Sequence, residues 1–208
     1  MLVSDILRVK GADVVTVDPT MTVGDLVQLL AERRIGAVVV SPDGETLAGR
    51  AAARLAAVCP EVAVADAGRG SLPGRPSLPD GPGEGPAAGI LGAARAFPGR
   101  PLLVLACDLP GVPVALLAEL AASQGFDGAV PRWNGRVEPL CALYAPAALA
   151  ALEDQVARGL FGPHRLAERG DLAIRFLEGE EISRFGRPEE VFANLNEPGE
   201  LARWLERR

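Results

Sequence analysis

The chain has 208 residues, of which 49% are hydrophobic and 23% charged, and its formal net charge is -6. Such a length and apolar content suit a globular protein with one sizeable core and a small appendage. The acidic balance argues against a nucleic-acid partner, which would need a basic face, and no apolar run reaches the roughly 20 residues that span a bilayer.

The N-terminus, the cysteines and the histidine exclude further classes of protein and of site. The N-terminus lacks a basic region followed by an apolar one, so we expect a cytoplasmic protein without a secretory signal or a membrane anchor. The cysteines, Cys59, Cys107 and Cys141, have no paired metal-ligand spacing and are interpreted as buried thiols. The only histidine, His164, follows a Gly-Pro turn, which argues against a histidine metal site or a Ser-His relay.

The first 44 residues predict a short helical turn, an apolar run, a helix and a strand. An apolar run at 14–17 is followed by Thr22 and Asp25, which make a plausible helix start before leucines at helical spacing. The run "GAVVV" at 36–40 then predicts a buried strand, closed by the turn "SPDG".

From Thr46 onward, apolar runs of about four to six residues alternate with helical segments of about ten. Strands are predicted in "EVAVA", "PLLVLACD", "DGAVP", "EPLCALY" and "LAIRFL". This alternation indicates an α/β fold with a mostly parallel sheet covered by helices on both faces.

The loop "PDGPGEGPAAGI", residues 79–90, is the first candidate site. Its glycines let the backbone approach a ligand, and a helix starting near Pro86 would direct free amides at an anion or a carbonyl. Asp80 and Glu84 add two carboxylates. The alternative is a solvated loop that leads into a helix.

The second candidate is Asp108, at the end of the strand "LLVLACD". The carboxyl ends of parallel strands are where α/β folds bind ligands, and Mg²⁺ needs only one or two protein oxygens because it keeps several waters. The alternative is an N-cap aspartate for the following helix.

A third group lies in the last third of the chain. Arg136 and Glu138 precede a strand, while Asn194 and Asn196 would point the same way in an extended segment. Two amides on one side can bind a planar ligand that forms hydrogen bonds. Taken singly, each of these residues is also common in turns.

Taken together, these pieces resemble one enzyme family. From about residue 46 to residue 208 the chain resembles the molybdenum cofactor guanylyltransferases of the MobA type. The motifs, in order, are "GETLAGRAAARL", "PDGPGEGPAAGIL", "LLVLACDLP", "GRVEPLCALY" and "FANLNEPGELARW". The resemblance implies a Rossmann-like, three-layer nucleotidyltransferase domain over 46–208 that uses Mg²⁺ to transfer GMP from GTP to molybdopterin.

The resemblance also implies roles for individual residues. Asp108 would be the catalytic metal ligand and, with Asp80, would bind the nucleotide. Six further positions would contact the substrates: Gly85, Pro86, Arg136, Glu138, Asn194 and Asn196. A cytidylyltransferase of the same superfamily is a closely related alternative. Only the motif "EPLCALY" favours transfer from a guanine nucleotide over a cytosine nucleotide.

One family signature is absent. The family opens with a glycine-rich loop of the form LAGGxSxRMGxDK, whose amides and lysine hold the triphosphate; this chain has no such stretch, and its only lysine is Lys10. Ala65 also stands where the family often has an asparagine that contacts the nucleotide, although the neighbouring Asp66 offers a polar substitute. We therefore expect impaired activity.

Residues 1 to about 49 instead resemble the first part of a CBS domain, in "VSDIL", "KGADVVTVDPTMTVGDLVQLLAERRIGAVVVSPDG" and "TLAG", and the CBS-like segment is taken as 1–45. The resemblance implies binding of adenine nucleotides or self-association into a homo-oligomer, and this is the alternative function for the chain. The usual Gly-x-x-Ser/Thr-x-Arg-Asp stretch reads "GRAAARL" here, so its ligand residues are missing. The run "IGAVVV", residues 35–40, is a candidate substitute for the first strand of the nucleotidyltransferase sheet.

Overall fold

The computed structural model describes residues 16–17, 39–40 and 46–194. The chain divides into two compact units, one of Met1–Thr46 with Leu195–Arg208 and one of Leu47–Asn194. In the first unit, β1 (Thr16–Val17) and β2 (Val39–Val40) pair in parallel, with Thr16 opposite Val39. The predicted CBS-like segment otherwise lies outside the described residues.

The second unit contains a five-stranded sheet and a separate two-stranded one. Its strands are β3 (Val64–Ala65), β4 (Ser77–Leu78), β5 (Leu102–Leu105), β6 (Gly128–Trp133), β7 (Arg136–Val137), β8 (Cys141–Tyr144) and β9 (Ile174–Glu178). Strands β5, β8 and β6 lie side by side in that order, and β9 pairs with the other edge of β6. The parallel pair β3–β4 forms the small sheet.

Strand directions confirm an α/β fold with a mixed sheet, in which three of the four described strand pairings of the large sheet are antiparallel and one is parallel. Strand β8 is antiparallel to both β5 and β6, and β9 is parallel to β6. Consequently β5, β6 and β9 all run the same way. The reversal of β8 was not predicted from the sequence; it follows from a hairpin turn at Asn134 and Gly135, which have φ angles of 49° and 72°.

A bulge separates β7 from β8. Both strands pair with β6, with Val137 opposite Arg132 and Leu143 opposite Ala129, so the register shifts by three residues between them. The extra residues are 138–140, and the N–H of Cys141 donates to the carbonyl of Glu138 across them (3.0 Å). Bulges of this kind redirect side chains at the ends of strands.

The helices of the second unit are α1 (Leu47–Ala56), α2 (Pro86–Ala96), α3 (Val114–Ala121), α4 (Pro146–Ala157), a 3₁₀ helix at Pro163–Glu168, α5 (Glu180–Ser183) and α6 (Pro188–Val191). Proline occupies the first position of α2 and of α4, where its missing N–H costs nothing. Within the described residues, no helix is long and apolar enough to cross a membrane.

Two hydrophobic clusters show the three-layer arrangement. Leu103 and Leu105 of β5 pack with the cluster that contains α3, whereas Leu102 and Val104 pack with the cluster that contains α2 and α4. Alternate side chains of β5 therefore enter opposite layers, as expected for a sheet covered on both faces. Fully buried leucines such as Leu116 and Leu152 each contribute about 1.5–3 kcal/mol of hydrophobic stabilisation.

Candidate active site

Asp108 lies beyond the carboxyl end of β5. The strand ends at Leu105, and the turn that follows is closed by the N–H of Leu109, which donates to the carbonyl of Ala106 (3.3 Å). Leu109 is buried, while Asp108 is partly exposed. The N-cap of α3 is Pro113, five residues later. Asp108 is therefore not the N-cap of this helix, which was the alternative interpretation from the sequence.

The bulge at 138–140 lies beside this turn. The N–H of Ala106, two residues before Asp108, donates to the carbonyl of Leu140 at 2.7 Å. Partial burial, and then the negative charge of Asp108, raise the pKa of Glu138, while Arg136 opposes the shift. The charges of Asp108 and Glu138 therefore act on each other. From the sequence, Glu138 was predicted only as a residue that contacts the substrates.

Three strands of the second unit are each followed by an aspartate. Asp66 follows β3, Asp80 lies two residues beyond β4, and Asp108 lies three residues beyond β5. Strands β3 and β4 are parallel, and the amino ends of β3 and β5 are joined by an ion pair between Glu61 and Arg100. The carboxyl ends of β3 and β4 consequently point the same way.

Asp66 holds its own loop together. Its carboxylate accepts hydrogen bonds from the N–H and the hydroxyl of Ser71, both at 2.7 Å, and from the hydroxyl of Ser77. Burial alone would raise the pKa of Asp66, but these hydrogen bonds lower it to about 2. The sequence suggested Asp66 as a substitute ligand for the nucleotide; the structure shows a carboxylate already bonded by its loop.

The loop that carries Asp80 is fixed by close backbone packing on α2. The N–H of Gly81 donates to the carbonyl of Ala88 at 2.8 Å, and a Cβ at Gly92 would lie 2.1 Å from the carbonyl oxygen of Pro79. Asp80 itself is exposed. The loop is therefore rigid on the helix side and open on the other.

The predicted helix start at Pro86 is confirmed. Gly85 is the N-cap, with a φ angle of 61°, and no side chain caps the first turn of α2. Both Gly85 and Pro86 are exposed. Because a helix N-terminus without a side-chain cap presents backbone N–H groups, the loop and α2 together offer donors to a ligand.

The remaining predicted residues lie on two other segments. Arg136 is an exposed residue of β7, directly after the hairpin turn, and Asn194 is exposed at the end of the described chain. Asn196 lies outside the described residues. The segment leading to Asn194 is anchored near the turn after β5 that carries Asp108, because Val191 packs in the same buried cluster as Leu109.

Two of the three cysteines differ from the sequence prediction. Only Cys141, in the central strand β8, is fully buried; Cys59 is partly buried and Cys107 is exposed. The reason is that Cys107 lies past the end of β5, where the chain has left the sheet. Across residues 46–194 there is no cluster of three metal-binding side chains.

Comparison with known proteins finds a matching family model and similar proteins. A family model described as "MobA-like NTP transferase domain" matches residues 14–171, which begins upstream of the domain boundary predicted at residue 46. The molybdenum cofactor guanylyltransferase of Acidiphilium cryptum is 33% identical over 186 residues, covering 82% of this chain and 87% of that protein.

Two further relatives extend the comparison. A probable molybdenum cofactor guanylyltransferase of Carboxydothermus hydrogenoformans is 25% identical over 126 residues; the match covers 60% of this chain and spans only 62% of that relative. The crystal structure of molybdopterin-guanine dinucleotide biosynthesis protein A from Archaeoglobus fulgidus superposes with a TM-score of 0.54 and 30% identity, covering 64% of this chain and 67% of that one.

Proposed function

The chain belongs to the MobA-like NTP transferase domain family, and from this premise we propose that it is a molybdenum cofactor guanylyltransferase. It would transfer GMP from GTP to the phosphate of Mo-molybdopterin and release pyrophosphate. The observation that carries the proposal is the position of Asp108, beyond the carboxyl end of β5 and beside the bulge that presents Glu138.

The reaction needs positioning more than covalent chemistry. An oxygen of the molybdopterin phosphate forms a bond to the α-phosphorus of GTP, and the bond from that phosphorus to the bridging oxygen of the β-phosphate breaks. The electron pair leaves with pyrophosphate. Phosphoryl transfer of this kind is accelerated mainly by alignment of the reactants and by groups that offset negative charge.

Asp108 and Glu138 would hold Mg²⁺. Two carboxylates that repel each other suit a divalent cation, because the cation neutralises both negative charges. Mg²⁺ takes one or two protein oxygens together with waters and phosphates. When bound, the ion neutralises charge on the triphosphate and on the leaving pyrophosphate. Asp108 would be the principal ligand and Glu138 its neighbour.

The loop after β4 supports nucleotide binding. Asp80 is exposed on a backbone that packs against α2, so its carboxylate can accept hydrogen bonds from a guanine base without a loop rearrangement. At the start of α2, the N–H of Gly85 would then lie near the bound substrate; Pro86 has no N–H, and the N–H of Ala88 already donates to the carbonyl of Gly85 (3.1 Å).

The pterin side would be formed by Arg136, Asn194 and Asn196. Arg136 is an exposed cation suited to a phosphate or to a planar hydrogen-bonding ring. The amide of Asn194 is exposed near the active-site turn, and Asn196 follows it in the sequence. These assignments rest on the family resemblance and on the position of the segments.

We expect transfer to be slow. The glycine-rich loop LAGGxSxRMGxDK is absent from the sequence, and with it an amide cradle and a lysine for the triphosphate. Guanine selectivity and a cytoplasmic location belong to the proposal as well, whereas a CBS-like role or self-association of residues 1–45 is the alternative. No described residue favours adenine-nucleotide sensing over transfer.

The test is product formation by the full chain. Purified protein is incubated with GTP, Mg²⁺ and molybdopterin, and both pyrophosphate and the guanine dinucleotide product are measured. We expect slow formation of both, in equal amounts, and none with Asp108→Asn. Product formation that is unchanged in Asp108→Asn, or product from CTP in preference to GTP, would contradict the proposal.

A further inference from the structure

The bulge at 138–140 is held on two sides by backbone hydrogen bonds. The carbonyl of Glu138 accepts from the N–H of Cys141 at 3.0 Å, and the carbonyl of Leu140 accepts from the N–H of Ala106 at 2.7 Å. The first bond ties the bulge to β8, and the second ties it to the chain just beyond β5. Neither bond depends on a particular side chain, because both join backbone groups.

The middle carbonyl of the bulge has a side-chain donor. The hydroxyl of Tyr144 donates to the carbonyl of Pro139 at 2.6 Å. Burial raises the pKa of Tyr144 above its ordinary value of 10, so the hydroxyl keeps its proton at neutral pH and can donate. This bond is set by residue type, since a phenylalanine at position 144 would fill nearly the same space and could not make it.

The surroundings of Tyr144 fix where its hydroxyl lies. Tyr144 is in β8, between β5 and β6, and it pairs with Leu102 on one side and with Gly128 on the other. Only 5% of its surface is exposed, and it packs in the cluster that contains α2 and α4. Because the strand is paired on both sides and the ring is buried in a packed layer, the donor has one position.

The residue next to this bond is Glu138. It directly precedes Pro139, and its own N–H donates to the carbonyl of Pro131 in β6 at 3.0 Å. Its side chain is partly buried, and the negative charge of Asp108 contributes to the raised pKa of its carboxyl group. The ring of Pro139 restricts rotation between the peptide groups on its two sides, so a displacement of its carbonyl is passed on to Glu138.

We infer that Tyr144 is a positioning residue: its hydroxyl fixes the bulge 138–140 and so holds the carboxylate of Glu138 where it acts together with Asp108, an inference that rests on the proposed function, in which these two carboxylates hold Mg²⁺. Mg²⁺ demands near-ideal geometry, with oxygens at about 2.0–2.1 Å, so two protein ligands must both be in place. Tyr144 contacts neither the cation nor the substrates; it acts through Glu138.

Amide hydrogen exchange, followed by NMR without metal or nucleotide, tests whether Tyr144 holds the bulge. In Tyr144→Phe, we expect the N–H groups of Cys141 and Ala106, which donate to the bulge, to exchange about tenfold faster. The N–H of Asp127, which donates to Ala173 just before β6, should exchange at its unchanged rate. Equal exchange of Cys141 and Ala106 in the two chains would overturn the inference.

The Mg²⁺ requirement of GMP transfer tests whether Tyr144 acts through Glu138. Tyr144→Phe should raise the half-saturating Mg²⁺ concentration about tenfold and leave the KM for GTP, at saturating Mg²⁺, within about twofold. In Glu138→Gln, addition of Tyr144→Phe should change the Mg²⁺ requirement by less than about twofold, because the carboxylate to be positioned is already gone. An effect of Tyr144→Phe that is equally large in both backgrounds would overturn the inference.

Gln155→Leu is the matched control. Gln155 is also 5% exposed, and its side-chain amide donates to the carbonyls of Leu160 and Gly162 at 2.9 Å and 3.0 Å. The variant therefore removes buried hydrogen bonds from a side chain to loop carbonyls, but in a different loop. It should destabilise the protein and leave the Mg²⁺ requirement unchanged. Equal rises in the Mg²⁺ requirement would show that Tyr144→Phe acts only through lost stability.

Mn²⁺ binding separates this inference from the proposed function. Mn²⁺ binds the same kinds of oxygen ligand as Mg²⁺ and broadens NMR signals near it, so it needs no GTP and no turnover. The Mn²⁺ concentration that half-broadens the Glu138 side-chain signals should rise about tenfold in Tyr144→Phe. If the unchanged chain is broadened but makes no product, the proposed transfer fails and this rise still supports the role of Tyr144. Equal concentrations in the two chains, or no broadening of Glu138 in either, would overturn it.

Discussion

At the scale of single residues, Asp108 and Glu138 are the pair on which the proposed chemistry depends. Burial and the charge of Asp108 raise the pKa of Glu138. We therefore predict that Asp108→Asn lowers the pKa of Glu138, because the repulsion disappears while the burial remains. A carbon-13 NMR titration of the Glu138 carboxyl group measures this directly.

Asp171→Asn is the matched control for that titration. It makes the same change to an exposed carboxylate paired with Arg169, which is not among the charges that act on Glu138. The pKa of Glu138 should stay where it is in this variant. An unchanged pKa in Asp108→Asn would show that the two carboxylates do not share a site.

Asp66 gives a second prediction, on stability against pH. Its folded pKa of about 2 lies below the ordinary value of 3.8, so its contribution is fully present above about pH 4 and is lost as the pH falls toward 2. Asp66→Asn should destabilise the protein by about 1 kcal/mol at pH 7, a figure discounted for solvent exposure.

Urea unfolding at pH 7, 4 and 3 checks this expectation. The difference in unfolding free energy between the unchanged chain and Asp66→Asn should shrink between pH 4 and pH 3. Ser77→Ala removes one of the donors to the same carboxylate and should show the same trend. If the difference in unfolding free energy did not change with pH, the stabilisation by Asp66 would not come from hydrogen bonds to its ionised carboxylate.

These residues also show how far sequence reasoning reaches. The position of Asp108 could be predicted, because an apolar run of strand length ends just before it. Its proximity to Glu138 could not, since that depends on a bulge at 138–140 that leaves no periodic signal. Nor could the bonds from Ser71 and Ser77 to Asp66 be foreseen, as small polar residues are ordinary in a glycine-rich loop.

At the scale of elements, the contact between α2 and the loop after β4, which carries Asp80, depends on a glycine. A Cβ at Gly92 would lie 2.1 Å from the carbonyl oxygen of Pro79, far inside van der Waals contact. Gly92→Ala should therefore push the loop off the helix, destabilise the protein by about 1–3 kcal/mol and weaken GTP binding. Thermal unfolding and nucleotide titration measure the two effects.

Gly170→Ala is the control for this contact. A Cβ there meets nothing within 4 Å, so the substitution should change stability by less than about 0.5 kcal/mol and leave GTP binding intact. If Gly92→Ala were as stable as the unchanged chain, the close packing of loop on helix would be refuted.

The elements themselves were predictable to different degrees. Helices α2 and α4 begin at prolines, a signal that is local in sequence, and α2 begins at Pro86 as expected. Strand β8 was predicted as a strand, but its antiparallel direction was not, because direction is set by the hairpin before it and not by its own residues. The three layers followed from the alternation of strands and helices.

At the scale of the whole molecule, the family fold is kept while the phosphate-binding loop is missing from the sequence. In the proposed function, Asp80, Asp108 and the start of α2 would place the nucleotide. Loss of an amide cradle and a lysine removes interactions that stabilise the transition state more than the bound substrate. We therefore expect GTP binding to survive better than turnover.

Calorimetric titration of the full chain with GTP in the presence of Mg²⁺ tests this central claim most directly. We predict one GTP per chain, bound at least about tenfold more tightly than CTP or AMP, with Asp108→Asn weakening GTP binding about tenfold or more. Binding of AMP in preference to GTP, or GTP binding that is unaffected by Asp108→Asn, would contradict a guanylyltransferase site at the end of β5.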